Sequence, residues 1–233
     1  MLTAEWRELA LLNFEVDPGL LAARVPAGTE LDAWNGHSFV SVVGFMFLRA
    51  RLFGVPIPLH GTFEEVNLRF YVRRKAAEGW RRGVVFVKEI VPRFAIARVA
   101  RALYNEPYVS LPMSHRIEAQ GSQHSVRYGW RFSERENFLR VQVAGASQEI
   151  ADGSKEEFIA EHYWGYTRQR DGSTLEYQVE HPRWKIWHAL EAQLDCDVRG
   201  LYGAEFEALL AARPSSAFLA EGSAVRVHRG VSL

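Results

Sequence analysis

Apolar and polar positions alternate along much of this chain with a period of two. The clearest run is Phe63 to Val72, where Val66, Leu68, Phe70 and Val72 share one face and Glu65, Asn67, Arg69 and Tyr71 share the other. Such alternation predicts a strand. Its polar face carries an acid, an amide, a guanidinium and a phenol in a row, which suits the lining of a barrel or cleft better than a solvated surface. Similar readings predict strands over residues 6–14, 83–91, 108–118, 125–132 and 138–143. Residues 40–47 are almost wholly apolar, so that strand is expected to be buried on both faces, with Gly44 at a bulge or close backbone approach.

Turn signals connect these runs. Asn35-Gly36 predicts a hairpin between residues 31–34 and 38–48, and Asp171-Gly172 another between 163–169 and 173–180. Glu221-Gly222 predicts a closing hairpin between 217–220 and 224–228. Helices are expected at 17–24, with Asp17 as N-cap and Pro18 following, and at 155–162, with Ser154 and Glu157 as a capping box. Further helices are expected at 94–104 and at 204–213, before Pro214, and a short helix or wide turn at 184–191. There is no repeat and no long linker in the 233 residues. The inventory is one α+β domain, residues 1–233, built on a mostly β closed sheet with a few short helices.

Composition changes this picture little. Apolar residues form 48% of the chain, enough for a sizeable core, and the formal net charge of zero gives no footprint for nucleic acid. No apolar run approaches the ~20 residues of a membrane span, and the first residues lack a signal-peptide core, so a cytoplasmic protein is expected. The lone Cys196 excludes a disulfide framework, and its flanking Asp195 and Asp197 disfavour a thiolate. No nucleotide-binding glycine motif and no metal-binding histidine pair occurs, so neither a cofactor nor a metal is expected.

Candidate chemistry rests on three groups. Glu65, Asn67, Arg69 and Tyr71 read either as a structural ion pair or as a ligand site, with Glu65 as acid or base and Arg69 clamping an anion. Glu65 and Arg69 are expected to touch. Arg98 and Arg101, three apart, and Tyr104 beyond them, read either as a solvated helix face or as a cavity wall selecting an anion. Glu161-His162 and Glu180-His181, at the ends of one hairpin, are placed to form a carboxylate–imidazole dyad.

Several segments together resemble a known family. Residues 63–72 resemble the F-x-E-x-N-x-R-x-Y-V core of the YqjF-like family, a bacterial domain of unknown function (DUF2071). Val16-Asp17-Pro18, residues 25–31, residues 34–45, Phe158 to Tyr163 and His181-Pro182-Arg183-Trp184 resemble its other motifs in order, with His162 standing where Arg is usual. That family is similar in fold to acetoacetate decarboxylase. The resemblance implies a closed, mostly antiparallel barrel with a central cavity, and identifies Glu65 with a pocket glutamate. The decarboxylase mechanism uses a Lys-Lys pair after a helix. At the matching place this chain has Pro107-Tyr108-Val109, which argues against Schiff-base chemistry and puts Tyr108 at the cavity wall. The expected partner is a small organic acid or carbonyl compound. A homo-oligomer is compatible with the sequence. Binding module and non-Schiff-base lyase, hydratase or isomerase both stay open.

Overall fold

The computed structural model describes residues 1–56, 61–94, 97–98 and 105–233. In chain order the strands are β1 (Leu2–Val16), β2 (Glu30–Leu31), β3 (Ser38–Leu52), β4 (Val55–Pro56), β5 (Phe63–Ala76), β6 (Gly79–Val91), β7 (Tyr108–Ser110), β8 (Met113–Gln120) and β9 (Gln123–Phe132). They continue with β10 (Arg135–Ala144), β11 (Gln148–Glu149), β12 (Trp164–Arg168), β13 (Thr174–Glu180), β14 (Lys185–His188), β15 (Glu191–Asp195), β16 (Ser216–Val227) and β17 (Val231–Ser232). The described helices are short: Pro18–Leu21, Lys155–Ala160, Val198–Leu201 and Glu207–Ala211 lead them. Asp17 caps the first and Ser154 the second through the bonds their side chains accept.

Thirteen of the described strands join one sheet. Its neighbours run β16–β1–β3–β5–β6–β12–β13, and β13 pairs again with β16 through Val179↔Val227 and Glu180↔Arg226, so the order returns to its start. The pairs are antiparallel except β6 with β12 and with β7. A second sheet, β15-β10-β9-β8, covers one face of the first.

This layering explains why β3 is apolar throughout. Its outward positions, with Leu12, Leu68 and Phe70, pack on Tyr128, Trp130, Leu139 and Val141 of the second sheet. The opposite face of the same strands holds Leu11, Val43, Phe45 and Tyr71 against Phe158, Ile159 and Phe218. A strand buried on both faces has no solvated side on which to place polar residues. The polar row of β5 therefore lies inside the molecule.

Three expectations are corrected and one lies mostly outside the described residues. Residues 216–227 form one strand, not a hairpin: Gly222, at φ +75°, makes a kink within β16, and β16 pairs with β1 on both sides of it. Residues 184–191 are extended, with β14 on β16 and β15 beginning in the second sheet. Ile186 is buried between exposed Lys185 and half-buried Trp187, an alternation too short to tell from a turn by pattern alone. Asn35-Gly36 does make a tight turn closed by Trp34 and His37, yet the preceding strand pairs with β5 through Leu31↔Val72 rather than with β3. The helix expected at 94–104 falls mostly outside the described residues.

Gly44 lies where β3 meets the second sheet. A Cβ there would stand 2.5 Å from a Tyr128 ring carbon and 2.7 Å from Leu139. Gly44→Ala is expected to cost about 1–3 kcal/mol through overpacking. Urea unfolding checks this; an unchanged midpoint would show that the two sheets do not meet at Gly44.

Candidate functional site

Register places the site. Val43 on β3 faces Asn67 on β5, Asn67 faces Glu89 on β6, and Glu89 faces Tyr108 on β7. Directly opposed residues present their side chains to the same face of a sheet. One lateral row thus carries Asn67, Glu89 and Tyr108 together, with Glu65 two residues along β5. Glu65, Asn67 and Glu89 are each only 2% exposed. Glu106, also buried, precedes β7 and faces Thr167 of β12 and Tyr177 of β13.

Hydrogen bonds tie these groups together. Asn67 Nδ2 donates to Glu65 Oε1 at 3.0 Å, and the Tyr108 hydroxyl donates to Glu65 Oε2 at 3.1 Å. The Tyr177 hydroxyl donates to Glu106 Oε1 at 2.8 Å, and Thr167 donates to the same oxygen. Asn67 Oδ1 and Glu89 Oε2 are buried with no partner. Burial raises the Glu65 carboxyl to about 7, against the lowering effect of Asn67, Tyr108 and Arg69. Burial likewise raises Glu106 to about 7, opposed by Thr167 and Tyr177 and assisted by Glu65. Glu89 goes well above the ordinary carboxylate range, first through burial and then through Glu106 and Glu65. Burial and the neighbouring Glu65 and Glu89 also push the Tyr108 phenol up. The cluster offers protonated carboxyls at neutral pH, which can donate as well as accept.

The structure brings Glu65, Asn67 and Tyr108 together. Tyr71 shares their face but is engaged elsewhere. Its hydroxyl lies 2.5 Å from Ser41 Oγ, which donates to Asn13 Oδ1, so Tyr71 is the donor to Ser41. The expected Glu65–Arg69 contact is corrected. The two are four residues apart, about 13 Å of strand, with Asn67 between them. Arg69 instead donates from Nη2 to the Ile159 carbonyl at 3.2 Å. Arg98 is exposed, its guanidinium 5.8 Å from the Phe94 ring centroid, and is not part of the cluster. Arg101 and Tyr104 lie outside the described residues.

The carboxylate–imidazole dyad is not formed. Glu161 accepts from Tyr163, Glu180 holds His228 at 2.8 Å and Arg226 at 3.5 Å, and His181 Nδ1 bonds the Pro182 carbonyl. His162 is buried with both ring nitrogens unpartnered. Burial pushes the Cys196 thiol up to about 12, and Asp195 and Asp197 add to it.

Pattern reading passed over Glu89 and Glu106. A bulge in β6, between the pairs Leu68↔Lys88 and Arg69↔Phe86, breaks the alternation, so Phe86 and Glu89 share the inner side despite their odd separation. For Glu106 a signal was present: an acid directly before Pro107, at the place where the decarboxylase motif would sit.

Comparison with known proteins agrees with this architecture. The model of the DUF2071 family, described as an uncharacterized conserved protein, matches residues 3–224. The uncharacterized protein YqjF of Bacillus subtilis (strain 168) is 30% identical over 217 residues, covering 88% of this chain and 84% of its own. Among solved structures, acetoacetate decarboxylase from Legionella pneumophila superposes with TM-score 0.65 at 13% identity, covering 100% of this chain and 86% of that one. An acetoacetate decarboxylase-like enzyme from Sphingomonas wittichii RW1 gives 0.69 at 14%, covering 100% and 92%. The enduracididine biosynthesis enzyme MppR, complexed with pyruvate, gives 0.69 at 12%, covering 100% and 90%. These structural likenesses establish the fold. None of the described helices is long and apolar enough to cross a membrane.

The raised carboxyls predict a pH dependence of stability. In the unfolded chain Glu65 releases its proton near 4.5; in the folded protein it keeps it to about 7. The folded state binds more protons in that window, so stability falls as pH rises from 4.5 through 7. At about 1.4 kcal/mol per pH unit, this amounts to roughly 3 kcal/mol for Glu65. Glu65→Gln removes that slope, so the variant should gain on the native protein between pH 5 and pH 8 in urea unfolding. A constant difference between the two would mean that Glu65 ionises normally.

Proposed function

The chain belongs to the DUF2071 family, and we propose that its 233 residues form one closed barrel whose central cavity binds a small organic acid or carbonyl compound. The return of the strand order from β13 to β16 supports closure. One observation carries the ligand reading: Asn67 Oδ1 and Glu89 Oε2, two buried polar atoms without partners, point into the same face as Glu65 and Tyr108. Leaving such atoms unpaired costs about 1–3 kcal/mol each, and a ligand with matching groups recovers it. A protonated Glu89 donates to a carbonyl oxygen; Asn67 Oδ1 accepts from a ligand hydroxyl or from water.

A second reading is favoured by the placement of the Glu65 carboxyl near 7. An acid–base group poised there suits proton transfer at neutral pH, in a lyase, hydratase or isomerase with Arg69 as the anion clamp. Schiff-base chemistry is disfavoured by where the lysines sit. Lys75 and Lys185 are exposed, and Lys155 is bonded to the Ser215 carbonyl. Lys88 opposes Leu68 on the outer face, away from Glu89.

Calorimetric titration with small oxo acids and ketones tests the binding. At least one should bind; Glu89→Gln, still a donor, should hold affinity, and Glu89→Leu should lose about tenfold or more. Failure of the whole panel, or a lysine adduct trapped by borohydride, would overturn the proposal. Exchange of ligand C–H for deuterium in D2O, lost in Glu65→Gln, would favour the enzyme; binding without exchange would favour the binding module.

A further inference from the structure

Beyond the carboxyl cluster the inner face continues to a cationic end. Arg69 is half-buried, and its hydrogen-bond partner is a carbonyl, that of Ile159, with Nε buried and unpartnered. His162 is 7% exposed, its ring centroid 4.7 Å from Tyr71 and 5.6 Å from Phe158, and both of its ring nitrogens are unpartnered. The Arg69 guanidinium lies 5.6 Å from the centroid of the same Tyr71 ring. Burial first, then Arg82 and Arg69, hold the imidazole well below its ordinary range against the raising effect of the Ile159 backbone, so it is neutral and carries one N–H and one acceptor. The adjacent carboxylate, Glu161, is turned to Tyr163. Three orphaned polar atoms thus collect where the nearby charges are positive. A guanidinium nitrogen buried without a carboxylate partner is a setting in which an incoming anion gains.

The outside of this region is open. A cleft of about 390 Å³ is lined by Asp32, Trp34, Arg73, Trp80, Arg82 and Phe158, among others. Two of its walls also bound the buried imidazole: Phe158 packs on His162, and the Arg82 guanidinium stands 4.7 Å over Phe158. Arg82 donates from Nε to buried Asp32 at 2.7 Å, so an internal carboxylate already occupies part of its fork.

We propose that Arg69 Nε and the His162 imidazole form a subsite for a carboxylate, reached from the Arg82–Phe158 cleft. The proposal rests on the ligand reading given above and narrows it. The ligand is a short oxo acid, its carboxylate accepting from Arg69 and His162 and its carbonyl accepting from a protonated Glu89. Side chains two apart on one strand face are separated by ~6.5–7 Å at their bases. Arg69 and Asn67 have that spacing, so a few carbons bridge the two ends. His162 then acts as a specificity residue, requiring a group that accepts its N–H, and it takes no proton from the ligand.

The test compares pyruvate, acetoacetate and 4-oxopentanoate, each against its neutral amide, by calorimetry. In the native protein at least one acid should bind at least tenfold tighter than its amide. His162→Phe keeps the aromatic packing and should weaken the acid at least tenfold more than its amide; His162→Gln should restore part of that loss. As a readout independent of any variant, the ¹⁵N imidazole resonances of His162 should settle to a single tautomer with the acid and stay unchanged with the amide. Acid and amide binding equally to the native protein would overturn the subsite and leave the carbonyl pocket intact. An acid preference that survives both His162→Phe and Arg69→Gln would also overturn it. If no compound binds, both readings fall.

Discussion

The rest of the molecule depends on the burial of carboxyl groups inside a sheet that is covered on both faces. An isolated carboxylate cannot remain charged in such surroundings without a partner; it finds donors or takes up a proton. Glu65, Glu89 and Glu106 show graded answers to that constraint. Glu65 and Glu106 each accept two side-chain hydrogen bonds and rise to about 7, while Glu89, beside Glu106 and Glu65, is held well above the ordinary range by burial and those neighbours against its bond to Tyr108. The ladder positions that hold these acids cannot move apart, because β5 and β6 are fixed by pairing on either side. Protonation is thus the available relief, and it turns three repelling anions into a set of hydrogen-bonding groups.

Much of this was legible in the sequence. The alternation over residues 63–72 gave β5, its orientation and the inward row, because a strand whose neighbours are apolar on both faces must enclose its polar side. The double burial of β3 followed from its composition in the same way. What pattern could not supply was phase across irregularities. Gly222 resembles a turn residue, and only the pairing of β1 across it shows a kink in a continuous strand. The bulge in β6 shifts Glu89 to the inner face, and no local feature near residue 87 announces it.

Spacing along a strand is equally decisive for the ion pair that did not form. Glu65 and Arg69 share a face, but side chains on a strand meet their lateral neighbours and the next position of the same face, and the one after that lies beyond reach. Asn67 fills the intervening place and gives its amide to Glu65. The acid and the guanidinium are thereby kept as separate ends of one polar row instead of neutralising each other.

That separation gives the row its chemical direction. At the Glu65 end the groups presented are carboxyls, an amide and phenols, which suit the carbonyl or hydroxyl of the proposed ligand. At the Arg69 end they are a guanidinium and a neutral imidazole, which suit an anion. Had Arg69 reached Glu65, each would have cancelled the other's field and the interior would discriminate little. A lysine at position 108 would also change the balance: its ammonium would draw the protons from Glu65 and Glu89, and the cluster would become an ion network. With Tyr108 in that place the phenol bonds to Glu65 while remaining neutral. Glu89 keeps its proton at neutral pH while Glu65 and Glu106, raised to about 7, share theirs with solvent, a balance that supports the proposed hydrogen bonding or proton transfer over the covalent capture of a carbonyl.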